Sequence, residues 1–152
     1  LASSQHVRVS CEVMTINDGD TLTCDLNGDG RLQTPKERIR LLGIDAPEMH
    51  YSRKNKSGKN QPYALEGKEL LQEQRHHTVW LEFDKERTDR YGRTLAYVYP
   101  GEVAEVSFNE TLVELGYAKL LFIGKNRRYE PQFMQAALTA RKNKAGLYSK
   151  PQ

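Results

Sequence analysis

Residues 39–48 read IRLLGIDAPE, and the fold turns on how that stretch is understood. Ile39, Leu41, Leu42 and Ile44 make a short run of branched apolar side chains, which predicts a buried β-strand. Pro47 stops the run, because proline cannot donate to a central ladder. Three charges interrupt it: Arg40 inside, Asp45 at its end and Glu48 just past the proline. Charge where a buried strand gives way to a loop is costly unless it is paired or holds a metal ion. The stretch is therefore either one arginine–carboxylate pair on a barrel rim or part of a site, and the sequence on both sides has to decide.

Upstream, residues 6–14 roughly alternate apolar and polar side chains, Asn17-Asp18-Gly19-Asp20 supplies turn chemistry, and Thr21, Leu22 and Thr23 resume a strand. That pattern predicts a hairpin. Residues 25–36, DLNGDGRLQTPK, form a polar excursion linking the hairpin to the Ile39 strand. Downstream, residues 51–60 are a polar, basic loop, and Pro62 opens a helix running to about His76 with Ala64, Leu65, Leu70 and Leu71 on its apolar stripe. Two strands follow at residues 79–83 and 95–99, joined by DKERTDRYGR. Asn109 is placed to cap a short helix with Leu112 and Leu115 on one face and Gly116 as its left-handed stop. Residues 118–123 are apolar and either close the sheet or run as a connector, two readings that periodicity does not separate. Pro131 suits a first helical turn, after which Phe133, Met134, Ala137 and Leu138 give the inward face of a last helix ending at Gly146. The order β-β-β-α-β-β-α-α predicts an α+β fold, a five-stranded Greek-key barrel of the OB type capped by three helices, in one domain over residues 1–152.

The composition fits that size of core, with 38% hydrophobic and 28% charged residues in 152. No apolar run approaches the roughly 18 residues of a membrane span, so no membrane partner is expected. The opening residues, LASSQHVRVS, lack the apolar centre of a signal peptide, so an exported chain would already have lost that segment. A net charge of +3 permits a polyanionic partner without requiring one. Arg53, Lys54, Lys56 and Lys59, and again Lys125, Arg127 and Arg128, are clusters that serve either as solvated surface or as phosphate contacts.

Three segments carry chemistry: DGDT at residues 18–21, RLLGIDAPE at 40–48 and DRYGR at 89–93. Cleaving a phosphodiester needs a positioned water, cations that grip non-bridging oxygens and stabilisation of the charge that builds on phosphorus. Asp20 and Asp45 are hard oxygen donors suited to Ca²⁺, Glu48 can order or deprotonate a water, and Arg40 and Arg93 can each bind phosphate through two N–H groups. Together, in this order and on this strand pattern, the segments closely resemble the staphylococcal nuclease (thermonuclease) family, from about residue 11 to residue 148, including FDKERTDRYGRTLAYVY and FNETLVELGYAKL.

The resemblance implies a secreted or otherwise extracytoplasmic, monomeric, Ca²⁺-dependent nuclease acting on DNA and RNA, with water attacking phosphorus and the bond to the 5′ oxygen breaking to leave 3′-phosphorylated products. It implies metal ligands at Asp20, Asp45 and the carbonyl of Ala46, catalytic roles for Arg40, Glu48 and Arg93, and substrate contacts from Arg90 and Tyr91. Two departures from the family involve three positions. Ala46 stands where Thr is frequent, which leaves a carbonyl ligand unaffected, and Phe122 and Gly124 stand where tyrosines flank the nucleotide. Phe122 can still stack on a base and Gly124 cannot. The alternative reading is a module that keeps the fold and binds nucleic acid or protein with little or no turnover.

Two further expectations concern the hairpin and its excursion. DLNGDGRL matches the first eight positions of an EF-hand-type loop, with Asp25, Asn27 and Asp29 at positions 1, 3 and 5, and Lys36 where the closing Glu belongs. It is either a second, weak Ca²⁺ site aided by Glu37 or a turn built from Asn, Asp and Gly. Cys11 and Cys24, the only cysteines, lie on the two hairpin strands. A two-residue turn at Asp18-Gly19 sets Cys24 opposite Val13 and leaves Cys11 a diagonal neighbour roughly 7–8 Å away, whereas a looser turn brings the pair opposite and permits a disulfide.

Overall fold

The computed structural model describes residues 6–149, so the expected domain limits at 1 and 152 lie outside it. Five strands close a barrel in the order β1 (Arg8–Asp18), β2 (Thr21–Asp25), β3 (Arg38–Leu41), β6 (Thr94–Tyr99), β5 (Thr78–Glu82). The long β1 makes closure possible: its first half pairs with β5 and its second half with β2. β3 and β6 run parallel, Ile39 beside Thr94 and Leu41 beside Ala96. The interior holds Val13, Leu22, Ile39, Leu41, Val79, Leu81, Ala96 and Val98, all fully buried. Helix α1 (Ala64–Gln72) packs on β1, and α2 (Phe108–Glu114) and α3 (Glu130–Lys142) pack on each other. The expected α+β barrel with three helices is thus the observed one.

The deciding stretch is not one strand. It breaks at Leu42-Gly43, and Ile44–Asp45 (β4) leaves the barrel to pair antiparallel with Lys119–Leu120 (β7). Gly43 permits the break: its φ is +80°, and a Cβ there would sit 2.7 Å from the Phe133 ring. The apolar run at residues 118–123 therefore neither joins the barrel nor stays wholly a connector.

Asn109 does not cap α2. Ser107 does, accepting from Glu110 N–H at 3.1 Å, while the fully buried Asn109 amide accepts from Val98 N–H (2.9 Å) and donates to Leu42 O (2.8 Å) and Ala96 O (3.2 Å). It thereby satisfies the backbone groups that the break at Leu42 would leave bare. Three other expectations shift. Leu115 is exposed and Val113 is buried beside Leu112, and Met134 and Leu138 face solvent while Phe133, Ala136, Ala137 and Ala140 form the inward face of α3. Helix α1 begins at Ala64, after Tyr63 in the left-handed region, and ends at Gln72.

Cys11 and Cys24 form a disulfide with Cα atoms 5.7 Å apart. Cys24 does lie opposite Val13, but the turn falls at Gly19-Asp20 with Asp18 facing Thr21, and β1 carries two irregularities, between Val13 and Thr15 and between Ile16 and Asp18. Bulges sharpen the local twist, which brings the diagonal pair within bridging range.

At one side of the barrel, Glu82 on β5 is 1% exposed and accepts from Arg8 Nε (3.1 Å), Arg128 Nη1 (3.0 Å) and the Tyr129 hydroxyl. Asp84 accepts from the Tyr97 hydroxyl (2.7 Å) and from the backbone N–H of Arg128 (3.0 Å) and Lys85 (2.8 Å).

Candidate active site

The hairpin turn and the break in the deciding stretch meet. Asp20 O accepts from Leu41 N–H (2.8 Å), its Oδ2 accepts from Ala46 N–H (2.8 Å), and its Oδ1 accepts from the Thr21 hydroxyl (3.1 Å). Arg40 points out of the barrel between two carboxylates, Nη2 lying 3.4 Å from Asp20 Oδ2 and 3.7 Å from Asp45 Oδ1. Its Nη1 donates to Leu41 O (2.7 Å) and Ile44 O (2.9 Å), so the guanidinium laces the break together.

The charge here is unbalanced. Burial first, then the proximity of Asp20 and Glu48, push the Asp18 carboxyl up to about 8. Asp45 is also raised, by burial and by Asp20 and Glu48, against the lowering influence of Arg40 and Lys54. Asp18 belongs to the site although it is absent from the expected ligands; the DGD spacing is its only signal in the sequence.

Glu48 is held by the loop that follows it. Its N–H donates to Gln61 Oε1 (2.7 Å), its O accepts from Gln61 N–H (2.9 Å), and its carboxylate accepts from the Ser52 hydroxyl. Asn55, only 7% exposed, donates to Lys59 O (2.6 Å) and accepts from Ser57. The loop whose composition is merely polar and basic is thus folded around an internal amide, and nothing in that composition marks Ser52, Asn55 or Gln61.

Arg93 immediately precedes β6. Because Arg40 pairs with Leu95 in the parallel ladder, Arg93 shares Arg40's outward face. Asp89 orients it, accepting from Arg93 N–H (3.0 Å) and Nε (2.7 Å). Tyr91, 61% exposed, has the Arg90 guanidinium 4.9 Å and the Arg93 guanidinium 5.5 Å from its ring centre. Phe122 is half-buried against Phe133, their ring centres 6.2 Å apart. The structure gathers Asp20, Arg40, Asp45, Ala46 and Glu48 around the break, keeps Arg90 and Tyr91 beside Arg93 in the segment before β6, and packs Phe122 partly against Phe133.

The excursion uses its side chains on itself. Asp25 accepts from Gly28 N–H (3.0 Å) and Gly30 N–H (2.8 Å), Asn27 from Asp29 N–H (3.2 Å), and Asp29 from Arg31 N–H (2.8 Å). Glu37 turns back to accept from Leu26 N–H and Gln33 N–H, both at 2.7 Å.

A barrel with an outward arginine pair and a carboxylate cluster at a strand break is the architecture of an SNase-like domain. The family model described as staphylococcal nuclease homologue matches residues 38–150, and the chain belongs to that family. It is 36% identical to a thermonuclease of Staphylococcus hyicus over 91% of this chain and 75% of that one. It is 33% identical to a thermonuclease of Staphylococcus intermedius (97% and 82%) and 35% identical to the endonuclease YncB of Bacillus subtilis (88% and 58%).

Proposed function

We propose that the chain is a nuclease that hydrolyses phosphodiester bonds in DNA and RNA. The observation that carries this reading is the placement of two arginines on one outward face beside a carboxylate cluster that ends in Glu48. Glu48 takes a proton from water, the water oxygen bonds to phosphorus, and the phosphorus–5′-oxygen bond breaks; the departing oxygen takes up a proton from solvent and Glu48 returns its own to solvent, leaving a 3′-phosphate on one fragment and a 5′-hydroxyl on the other. Arg93, its Nε fixed by Asp89, offers its two terminal nitrogens to the non-bridging oxygens, and Arg40 offers Nη2. Arg90 and Tyr91 hold the neighbouring phosphate or sugar, and Phe122 presents its exposed edge to a base.

The donor set suits Ca²⁺. Asp20 adds to the negative charge at Asp45, one Arg40 does not neutralise both, and Ala46, whose N–H donates to Asp20, would offer its carbonyl as a further ligand. Among the described residues no group of three or more His, Cys, Asp or Glu is close enough to form a metal site by itself, so backbone carbonyl and water would complete the shell. Bound there, the ion would supply charge stabilisation at phosphorus.

One observation favours a binding module instead: both terminal nitrogens of Arg40 are already engaged within the protein. Digestion of end-labelled single-stranded DNA and RNA with Ca²⁺ and then with chelator decides, with end-group analysis of products. Chelator-sensitive cleavage leaving 3′-phosphates is expected; binding without cleavage favours the module. We read the protein as acting outside the cytoplasm, which its disulfide supports, and as a monomer. No helix among the described residues is long and apolar enough to cross a membrane.

A further inference from the structure

An open groove of about 500 Å³ adjoins the carboxylates, lined by Asp45, Ala46, Glu48, Lys54, Lys119 and Gln61 and by the apolar Pro62 and Leu147. None of Arg40, Arg90, Tyr91, Arg93 or Phe122 lines it. It therefore shares the Asp45, Ala46 and Glu48 segment with the reacting centre and none of its arginines.

Both ammonium groups are placed by structure. Lys119 lies on β7 directly across from Asp45. Lys54 donates its backbone N–H at 3.1 Å to the Ser52 hydroxyl, the same hydroxyl that donates to Glu48, and the next residue is the buried Asn55 that holds the loop together. Among the described residues neither lysine forms an ion pair. Gln61 spends its Oε1 on Glu48 N–H, which leaves its amide N–H₂ available to a ligand. Two ammonium groups without an ion-pair partner, an amide donor and two apolar residues in one open groove match a phosphate joined to a sugar and base.

We propose that this groove is a second nucleotide subsite, taking the nucleotide that keeps the phosphate after cleavage, with Lys54 and Lys119 as its phosphate contacts. The assignment rests on the hydrolase reading above. In-line displacement puts the leaving oxygen opposite the attacking water. Glu48 marks the water's side, so the leaving nucleotide extends toward Arg93 and Tyr91. The groove past Glu48 is left for the other flanking nucleotide. The four cations of the basic loop are then unequal: Lys54 contacts substrate, and Lys56 and Lys59, which do not line the groove, remain surface charge.

The test compares wild type, Lys54→Ala/Lys119→Ala and the charge-matched Lys56→Ala/Lys59→Ala on two substrates. One is an oligonucleotide with nucleotides on both sides of the scissile bond; the other has a methyl ester in place of the nucleotide that keeps the phosphate. The ratio of kcat/KM for the full over the truncated substrate should fall about tenfold in Lys54→Ala/Lys119→Ala, mainly through KM, and hold in the control pair. An unchanged ratio overturns the subsite. A second arm needs no turnover: with chelator present, fluorescence anisotropy of a labelled single-stranded oligonucleotide should show weaker binding in the same variant. Its salt slope should be shallower by about 0.7 for each phosphate that the variant no longer neutralises. Equal slopes and affinities overturn the proposal. Lysine-dependent binding by a wild-type protein that cleaves nothing would count against the hydrolase reading and still support the subsite.

Discussion

Two clusters of arginine and carboxylate sit on the same barrel, and their difference separates charge that holds a fold from charge held ready for a ligand. Around Glu82 and Asp84, two arginines and two tyrosine hydroxyls meet two carboxylates, and each carboxylate has hydrogen-bond partners. Burial favours protonating Asp84, yet its hydrogen bonds from Tyr97 and from the Arg128 and Lys85 amides outweigh that and hold it below the usual carboxylate value. Around Arg40, one guanidinium serves Asp20 and Asp45 with Asp18 and Glu48 close by, and both Asp18 and Asp45 are raised. A closed network stabilises by being complete; an open one is completed from outside.

The largest expected effect lies in the open cluster. Glu48→Gln and Arg93→Lys should each lower turnover by about two to three orders of magnitude while the denaturant midpoint stays near wild type, since the proposed mechanism loses its base in the first and a cation aimed at developing charge in the second. A folded Arg93→Lys enzyme of normal activity would remove that residue from the mechanism. The closed cluster should behave conversely. Glu82→Gln leaves Arg8 and Arg128 without their shared anion and should cost on the order of 3 kcal/mol of stability in denaturant unfolding, with kcat retained. Equal losses of activity in both clusters would erase the distinction.

Acid should find the closed cluster too. Asp84 has a folded pKa below its unfolded value, so its stabilisation is complete above the unfolded carboxylate's pKa and is lost as pH falls through the lower folded value. Asp84→Asn should flatten the acid limb of stability against pH, measured as melting temperature from neutral pH downward. The smallest effect belongs to a third group of carboxylates, Asp25, Asp29 and Glu37, which have no ion-pairing arginine among the described residues. If the excursion takes a second Ca²⁺, calorimetric titration shows a weak step, about 10⁻⁴–10⁻³ M, as an incomplete shell would give. That step should vanish in Asp25→Ala/Asp29→Ala and persist in Asp20→Ala/Asp45→Ala. An isotherm indifferent to the first pair makes the loop a turn only.

The barrel is legible in the sequence because strand alternation and turn residues are local signals, and Arg40 is legible because a charge inside an apolar run has no cheap explanation. What escapes such a reading is long-range. Asn109 carries the composition of a helix cap, and only the approach of α2 to Leu42 and Ala96 converts its amide into a seal for a broken strand. Gly43 gives no hint of the two aromatic rings beneath it. On α3 the large side chains Met134 and Leu138 dominate the apolar pattern, while the helix docks through Phe133 and three alanines whose small size permits close approach. The disulfide stays undecided in the sequence for a related reason: a flat ladder misjudges distances across a bulged one.

The parallel ladder of β3 and β6 also sets an order of assembly. Ile39 meets Thr94 across an intervening helix and two strands, so this is a long loop to close, and closures of that kind come late and slow folding. Arg40 and Arg93 sit on the two sides of that seam. A chain emerging from synthesis holds the two arginines far apart until the seam forms, so the candidate site comes into being with the finished barrel and not before it.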